Sequence, residues 1–66
     1  MKNTIKVQRA IKNLTQEELG NRIGVSRQTI NSIENNRYTP STVLALKIAN
    51  VFDTSVNEIF ELEEGD

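Results

Sequence analysis

A chain of 66 residues is long enough for one small domain, and we expect a single domain over residues 1–66 without an additional effector-sensing domain. Cysteine and histidine are absent, which excludes disulfides, thiolate metal sites and histidine-based acid–base catalysis. The formal net charge is −1, but residues 1–50 carry eight basic and three acidic side chains, whereas residues 51–66 carry six acidic side chains and no basic one. This division predicts one face that attracts a polyanion and an opposite end that avoids it.

Several classes of protein are disfavoured by what the sequence lacks. No run of about 18 apolar residues exists, so no membrane-spanning helix is expected. The first residues lack the apolar block of a signal peptide, and we expect a cytoplasmic protein without a membrane partner. Gly20 and Gly24 do not have the spacing of a dinucleotide-binding or phosphate-binding loop, and we expect no cofactor and no bound metal. An enzyme is disfavoured because a domain of this size offers little cleft.

The first helix is predicted over about Asn3 to Lys12. Val7, Ile11 and Leu14 follow helical spacing along one face, and Ile5 lies off that face. The apolar stripe of this helix is therefore less regular than those that follow.

The second helix begins with a capping box, in which Thr15 caps the first turn and Glu18 reaches back to the Thr15 amide. Leu19 and Ile23 are four residues apart and form one apolar face. Gly24 ends the helix, because glycine enters the left-handed region without strain. These signals predict a short helix followed at once by a tight turn.

The third helix begins after Ser26, which is its predicted N-cap. Ile30 and Ile33 are three residues apart and are expected to be buried. Gly20 supplies a small side chain where the second and third helices must approach closely. Four polar residues of the third helix turn outward: Arg27, Gln28, Asn31 and Ser32.

Asparagine is found at two further predicted helix ends, Asn13 and Asn36, and is the next best residue after glycine for a positive φ. The loop from Asn35 to Pro40 leads to a fourth helix, which Ser41 can cap and which spans about Thr42 to Phe52. The inner face of this helix holds Leu44, Ala45, Ile48, Ala49 and Phe52.

A short fifth helix is predicted after a turn at residues 53–54, and Ser55 and Glu58 are expected to form a second capping box. The tail over residues 61–66 is expected to be extended or frayed. Three residues from Phe60 onward alternate like an edge strand but are too few to establish one. The apolar residues at helical spacing are Val56, Ile59 and Phe60.

The region from Gln16 to Asn36 resembles the helix-turn-helix of the Cro/phage-repressor family, also called the xenobiotic-response-element type. The matching positions are Gln16, Leu19, Gly20, Ile23, Gly24, Val25, Ile30 and Ile33, with the Ser26–Ile30 opening of the third helix and the Glu34–Ser41 segment after it. The resemblance runs from about Ile5 to Leu62. It implies an all-α, compact five-helix λ-repressor-like DNA-binding domain, with a core over about residues 5–62 and an acidic tail over residues 61–66.

The first helix departs from the family pattern. The position before Arg9 is usually a core leucine and is Gln8 here, whereas Val7 and Ile11 occupy positions that are usually polar. A slight rotation of this helix is one interpretation, and contact of Val7 and Ile11 with a partner chain is the other. The family also implies an ion pair between Arg9 and Glu34, in which the guanidinium grips the carboxylate and locks the first helix to the third.

The resemblance implies double-stranded DNA as the partner, with the third helix entering the major groove from its N-terminus. Arg27 and Gln28 are the principal predicted base readers, because arginine can pair with guanine and glutamine with adenine. Thr29, Asn31 and Ser32 complete the predicted base-reading set. The predicted phosphate contacts are Gln16, Ser26, Asn35, Arg37 and Tyr38, and Tyr38 is alternatively a core residue.

A single domain of this size buries little DNA surface, so high specificity requires two copies. The family implies a homodimer, and the predicted interface residues are Val56, Ile59, Phe60 and Leu62, unless these residues close the small core instead. The leading hypothesis is a transcriptional regulator, of the repressor type, acting at a near-palindromic operator. The alternative is a protein-interaction module or an antitoxin with the same fold.

Overall fold

Five helices and a two-stranded ribbon make up the computed structural model, which describes residues 1–66. Helices α2 and α3 share the most extensive contact, and α4 packs against α2. The predicted five-helix arrangement is confirmed, and the ribbon is an addition to it. The elements in chain order are β1 (Lys2–Asn3), α1 (Ile5–Lys12), α2 (Gln16–Ile23), α3 (Arg27–Glu34), α4 (Thr42–Val51), α5 (Val56–Ile59) and β2 (Phe60–Glu61).

The predicted caps of α2, α3 and α4 all form. In the α2 capping box, the Glu18 amide donates to Thr15 Oγ1 at 3.0 Å and the Thr15 amide donates to Glu18 Oε1 at 3.1 Å. Ser26 Oγ accepts from the Thr29 amide, and Ser41 Oγ accepts from the Leu44 amide, each at 3.1 Å. These helix ends are therefore fixed by contacts over three residues of sequence.

The predicted capping box of α5 is wrong, because the Ser55 side chain makes no cap hydrogen bond. The Glu58 amide donates to the Ser55 carbonyl instead. This single-turn helix is held from outside by Thr4, whose amide donates to the Ile59 carbonyl at 2.8 Å and whose hydroxyl donates to the Glu58 carbonyl at 3.1 Å.

Left-handed backbone ends α1 and α2 where the sequence predicts it. The φ angles are 56° at Asn13, 79° at Gly24 and 59° at Asn36, and a further positive φ of 53° occurs at Asp53. A side chain at Gly20 would place its Cβ 2.6 Å from the Val25 carbonyl oxygen. The small residue is therefore required by the backbone of the turn that precedes α3.

The orientation of α1 differs from the apolar stripe in its sequence. Ile5 is fully buried, whereas Val7 and Ile11 are 58% and 69% exposed. The helix starts at Ile5 because Asn3 belongs to β1. A rotation that buries Val7 and Ile11 is therefore the wrong interpretation. The core of the molecule consists of Ile5, Leu14, Leu19, Ile23, Ile30, Ile33, Leu44, Ile48, Ala49, Phe52, Ile59 and Phe60.

The chain ends form a ribbon that the sequence does not establish. Strands β1 and β2 pair antiparallel, with Lys2 opposite Glu61 and Asn3 opposite Phe60. The Met1 ammonium then lies 3.0 Å from an Asp66 carboxylate oxygen and 3.1 Å from one of Glu63. The acidic tail folds back onto the first residue, and its extension away from the domain is not observed. No helix of the structure has the length and apolar character needed to cross a bilayer.

Candidate nucleic-acid interface

The exposed face of α3 is polar along its whole length. Arg27, Gln28 and Asn31 are exposed, Thr29 and Ser32 are half-buried, and Ile30 and Ile33 on the opposite side are in the core. A shallow groove with no apolar lining runs along this face. It brings four of the five predicted base-reading residues next to a predicted phosphate contact: Arg27, Gln28, Asn31, Ser32 and Arg37.

Thr29 does not line that groove but lines a neighbouring one with Gln28 and Ser32. Thr29 Oγ1 is 3.0 Å from Ser26 Oγ, which also accepts from the Thr29 amide. Both hydroxyls are thus engaged with each other at the start of α3.

The far end of α3 is ordered by Asn35. Its Nδ2 donates to the Asn31 carbonyl at 2.9 Å and to Asn31 Oδ1 at 3.2 Å. Because a backbone carbonyl can only accept, the Asn35 nitrogen must face Asn31, and the Asn31 oxygen must face Asn35. The Asn31 Nδ2 group is left as a donor. The side-chain nitrogen of Asn35 is therefore already hydrogen-bonded within the protein.

Arg9 and Glu34 meet in a bidentate ion pair at the same, C-terminal end of α3. Arg9 Nε donates to Glu34 Oε2 at 2.6 Å and Nη2 donates to Oε1 at 3.1 Å, while Nη1 donates to the Leu14 carbonyl at 3.0 Å. Only 15% of the Arg9 side chain and 7% of the Glu34 side chain are exposed. The pair joins α1, the α1–α2 turn and the end of α3.

Gln16 is the third member of this cluster. It is the first residue of α2, and its Nε2 donates to Glu34 Oε1 at 3.2 Å. A groove between the end of α1 and the starts of α2 and α3 has both Gln16 and Arg27 in its wall. The structure thus brings the predicted phosphate contact Gln16 to the same groove as the predicted base reader Arg27.

Tyr38 lies at the edge of the α3 surface. Its side chain is 47% exposed and lines a groove that also contains Gln28 and Ser32. Tyr38 is not part of the buried core, which removes the alternative that it is a core residue. Arg37 beside it is exposed.

The four residues predicted for a dimer interface divide into two pairs. Ile59 and Phe60 are buried in the core of the single chain, so for them the alternative holds that they close the core. Leu62 is 76% exposed, and Val56 is half-buried. Val56 lies in an apolar groove whose lining includes Met1, Pro40, Ala45, Leu46 and Phe60.

Asn3 is a positioning residue that the sequence does not reveal. Its Nδ2 donates to the Ile33 carbonyl at 3.0 Å and to Asn36 Oδ1 at 3.3 Å, and its Oδ1 accepts from the Ile5 amide. Its side chain therefore links β1 to the end of α3 by hydrogen bonds. No local pattern marks it, because its role depends on the position of β1 in the folded chain.

The sequence profile of the helix-turn-helix family matches residues 5–59. The chain belongs to this family. Within it, the resemblance to the Cro/phage-repressor type of DNA-binding transcriptional regulator is confirmed by the similarity to a phage repressor of known structure.

Relatives occur in archaea, bacteria and a phage. An uncharacterised helix-turn-helix-type transcriptional regulator of Methanocaldococcus jannaschii is 52% identical over 64 residues, with 97% of each chain covered. The regulator YgzD of Bacillus subtilis is 47% identical with the same coverage. The ImmF control region 10 kDa protein of Bacillus phage phi105 is 39% identical, covering 92% of this chain and 73% of the phage protein.

The P22 c2 repressor has a similar fold. Its structure in complex with a synthetic operator superposes with a TM-score of 0.78 and is 26% identical in sequence, covering 94% of this chain and 89% of the repressor chain. The helix-turn-helix regulator described here therefore shares its architecture with a phage repressor over nearly its whole length.

Proposed function

We propose that this helix-turn-helix regulator is a transcriptional repressor that binds a near-palindromic operator as a homodimer, with α3 in the major groove. The observation that carries the proposal is the polar face of α3, on which Arg27 and Gln28 are exposed beside Arg37. The similarity to the P22 c2 repressor, whose structure is that of an operator complex, supports the same conclusion.

Base recognition is assigned to the N-terminal half of α3. A major groove admits one helix, and the residues at the start of a recognition helix reach the base edges. Arg27 has the donors to pair with guanine O6 and N7, and Gln28 can pair with adenine. Asn31 offers its Nδ2 donor, because its oxygen faces Asn35. Thr29 and Ser32 complete the set in the groove that they share with Gln28.

Phosphate contacts are assigned to residues that flank α3. Gln16 stands at the N-terminus of α2, where free backbone amides also favour an anion. Arg37 and Tyr38 line grooves that they share with residues of α3. Ser26 and Asn35 lie at the two ends of that helix. Such contacts fix the orientation of the protein on the duplex and carry no base preference.

A homodimer is required if the operator is to be read with high specificity, since one domain of this size covers little DNA. The apolar groups available for it are the half-buried Val56 and the exposed Leu62, with the exposed Leu46 in the same groove as Val56. Ile59 and Phe60 support this surface from within the core. A symmetric pair would present its recognition helices about 34 Å apart.

The test is selection of binding sites from random duplexes with the wild type and with Arg27→Ala, followed by titration at several salt concentrations. We expect the wild type to enrich a near-palindrome and Arg27→Ala to lose about 1–3 kcal/mol of discrimination at one position of each half-site. Arg22→Ala is the matched control, because Arg22 is an exposed arginine of α2 outside the α3 face. Light scattering of the complex gives the number of chains per duplex.

A second candidate is a protein-interaction module, including an antitoxin. The exposed pair Val7 and Ile11 on α1 favours it, because apolar side chains one helical turn apart can pack against another protein. If no site is enriched and only weak, salt-sensitive binding remains, the repressor proposal fails and this candidate takes its place.

A further inference from the structure

The carboxylate of Glu34 determines which end of the Gln16 side-chain amide faces it. Glu34 is paired with a guanidinium, and an ionised carboxylate can only accept hydrogen bonds. The Gln16 amide must therefore turn its nitrogen towards Glu34 Oε1, as observed at 3.2 Å. One N–H of this nitrogen is used, and the other is left as a donor.

Arg9 makes this arrangement compatible with a nearby polyanion. A free carboxylate would repel a DNA phosphate, but the guanidinium of Arg9 neutralises Glu34 through two hydrogen bonds. Arg9 itself is fixed by the Leu14 carbonyl. Without Glu34, the donors of Arg9 would attract the amide oxygen of Gln16 and reverse the group.

We propose that Glu34 is a positioning residue that orients the Gln16 amide as a hydrogen-bond donor to a DNA phosphate, with Arg9 cancelling its charge. The inference rests on the proposed phosphate contact of Gln16. It gives the ion pair a role in DNA affinity that is separate from its role in joining α1 to α3.

Glu34→Gln separates this role from simple electrostatics because the two predict opposite signs. Loss of a negative charge would tighten binding to DNA. Loss of positioning would weaken it, because the introduced amide keeps its oxygen on the short bond from Arg9 Nε and turns its nitrogen towards Gln16. The Gln16 amide then turns its oxygen towards that nitrogen, and the Gln16 N–H donor at this place is lost. Glu17→Gln is the matched control, because Glu17 lies in the wall of the same groove and has no hydrogen bond to Gln16.

The first measurement is made on the free protein. Side-chain amide signals of Gln16 in a ¹⁵N–¹H correlation spectrum report on the hydrogen bond to the carboxylate. We expect these signals to move in Glu34→Gln and to stay in place in Glu17→Gln. Unchanged Gln16 signals in Glu34→Gln would overturn the positioning role, whatever the protein does with DNA.

The second measurement is affinity for a random-sequence duplex, taken at a temperature where every variant is folded by circular dichroism. A phosphate contact is independent of base sequence, so no operator is needed. We expect Gln16→Ala and Glu34→Gln each to weaken binding about tenfold, as for one lost hydrogen bond to a charged group. The double variant should be no weaker than Glu34→Gln alone, and Glu17→Gln should bind slightly tighter than the wild type.

The outcomes distinguish failure of the positioning role of Glu34 from failure of the proposed DNA binding. Tighter binding by Glu34→Gln, or an undiminished effect of Gln16→Ala in that background, overturns the positioning role while the proposed DNA binding stands. Full binding by Gln16→Ala in the otherwise unchanged chain overturns the phosphate contact and the inference with it. Absence of duplex binding by the wild type overturns the proposed function, and the amide signals then still decide whether Glu34 orients Gln16.

Discussion

The helix-turn-helix unit and the paired chain ends are held together by different kinds of contact. In α2 and α3 the helix ends are fixed by Thr15 and Ser26, each acting three residues along the chain. At the chain ends, Thr4 bonds to carbonyls of α5 and β1 pairs with β2, across more than fifty residues of sequence. The ends of the two helices in the helix-turn-helix unit are thus encoded locally, whereas the contacts between the termini exist only in the folded chain.

The largest expected effect comes from the ion pair that joins α1 to α3. Arg9→Met leaves the carboxylate of Glu34 largely buried without its cation, and we expect a loss of about 3 kcal/mol in the free energy of unfolding. Urea unfolding followed by circular dichroism measures it. Arg22→Met is the control, because Arg22 is exposed. An equal loss in both variants would mean that the pair contributes nothing specific.

Gly20→Val tests the close approach inside the helix-turn-helix unit. The added side chain meets the Val25 carbonyl, which is backbone and cannot move without shifting the turn before α3. We expect destabilisation of about 1–3 kcal/mol. Asn21→Ala, at the exposed neighbouring position of the same helix, should change the urea midpoint little. A fully stable Gly20→Val variant would require a more adaptable turn than the one described.

Thr15 and Ser55 are both predicted to begin capping boxes, but only Thr15 does so in the structure. Thr15→Ala removes a cap that forms, and we expect a loss of about 1 kcal/mol. Ser55→Ala removes a hydroxyl that makes no cap hydrogen bond, and we expect a change within about 0.5 kcal/mol. Thermal unfolding of both variants measures the difference. Equal losses would show that α5 depends on local capping after all.

The smallest effects concern charges at the surface. The Thr15 amide lowers the pKa of Glu18, the Glu63 amide lowers the pKa of Asp66, and the Asp66 carboxylate raises the pKa of the Met1 ammonium. The carboxylates therefore contribute stability above their ordinary pKa values of 4.5 and 3.8 and lose it as the pH falls. The ammonium contributes stability below its ordinary pKa of 8.0 and loses it as the pH rises through its raised value.

Melting temperatures recorded from acid to alkaline pH should therefore show a shallow maximum between these limits. Asp66→Asn should flatten the alkaline side, because the ammonium loses its strongest partner. Glu64→Gln is the control, since Glu64 is an exposed carboxylate of the same tail. An unchanged alkaline slope in Asp66→Asn would contradict the pairing of the chain ends.

The features that the sequence predicts correctly are those with local causes. Gly24 and Asn13 end helices because of their own backbone preferences, and Ser26 caps a helix three residues ahead. The outward face of α3 follows from helical periodicity once Ile30 is assigned to the core. The polar residues of that outward face form most of the candidate DNA-binding surface.

The features that the sequence does not predict depend on distant partners. Ile5 is buried and Ile11 is exposed because the packing of α1 is decided by the whole molecule, not by its own stripe. The hydrogen bond of Gln16 to Glu34 joins residues 18 positions apart. The ribbon has only two residues in each strand, too few for a detectable alternation.

The closeness of the chain ends has a consequence for protein engineering. Because the Met1 ammonium touches the Asp66 carboxylate, a peptide of a few residues could join the two ends without moving α3. Such a cyclised chain would keep α3 unchanged, and its unfolded ensemble would have fewer conformations, which favours the folded state. Fusion tags attached at either end would leave the domain from the same corner, beside the exposed side chain of Leu62.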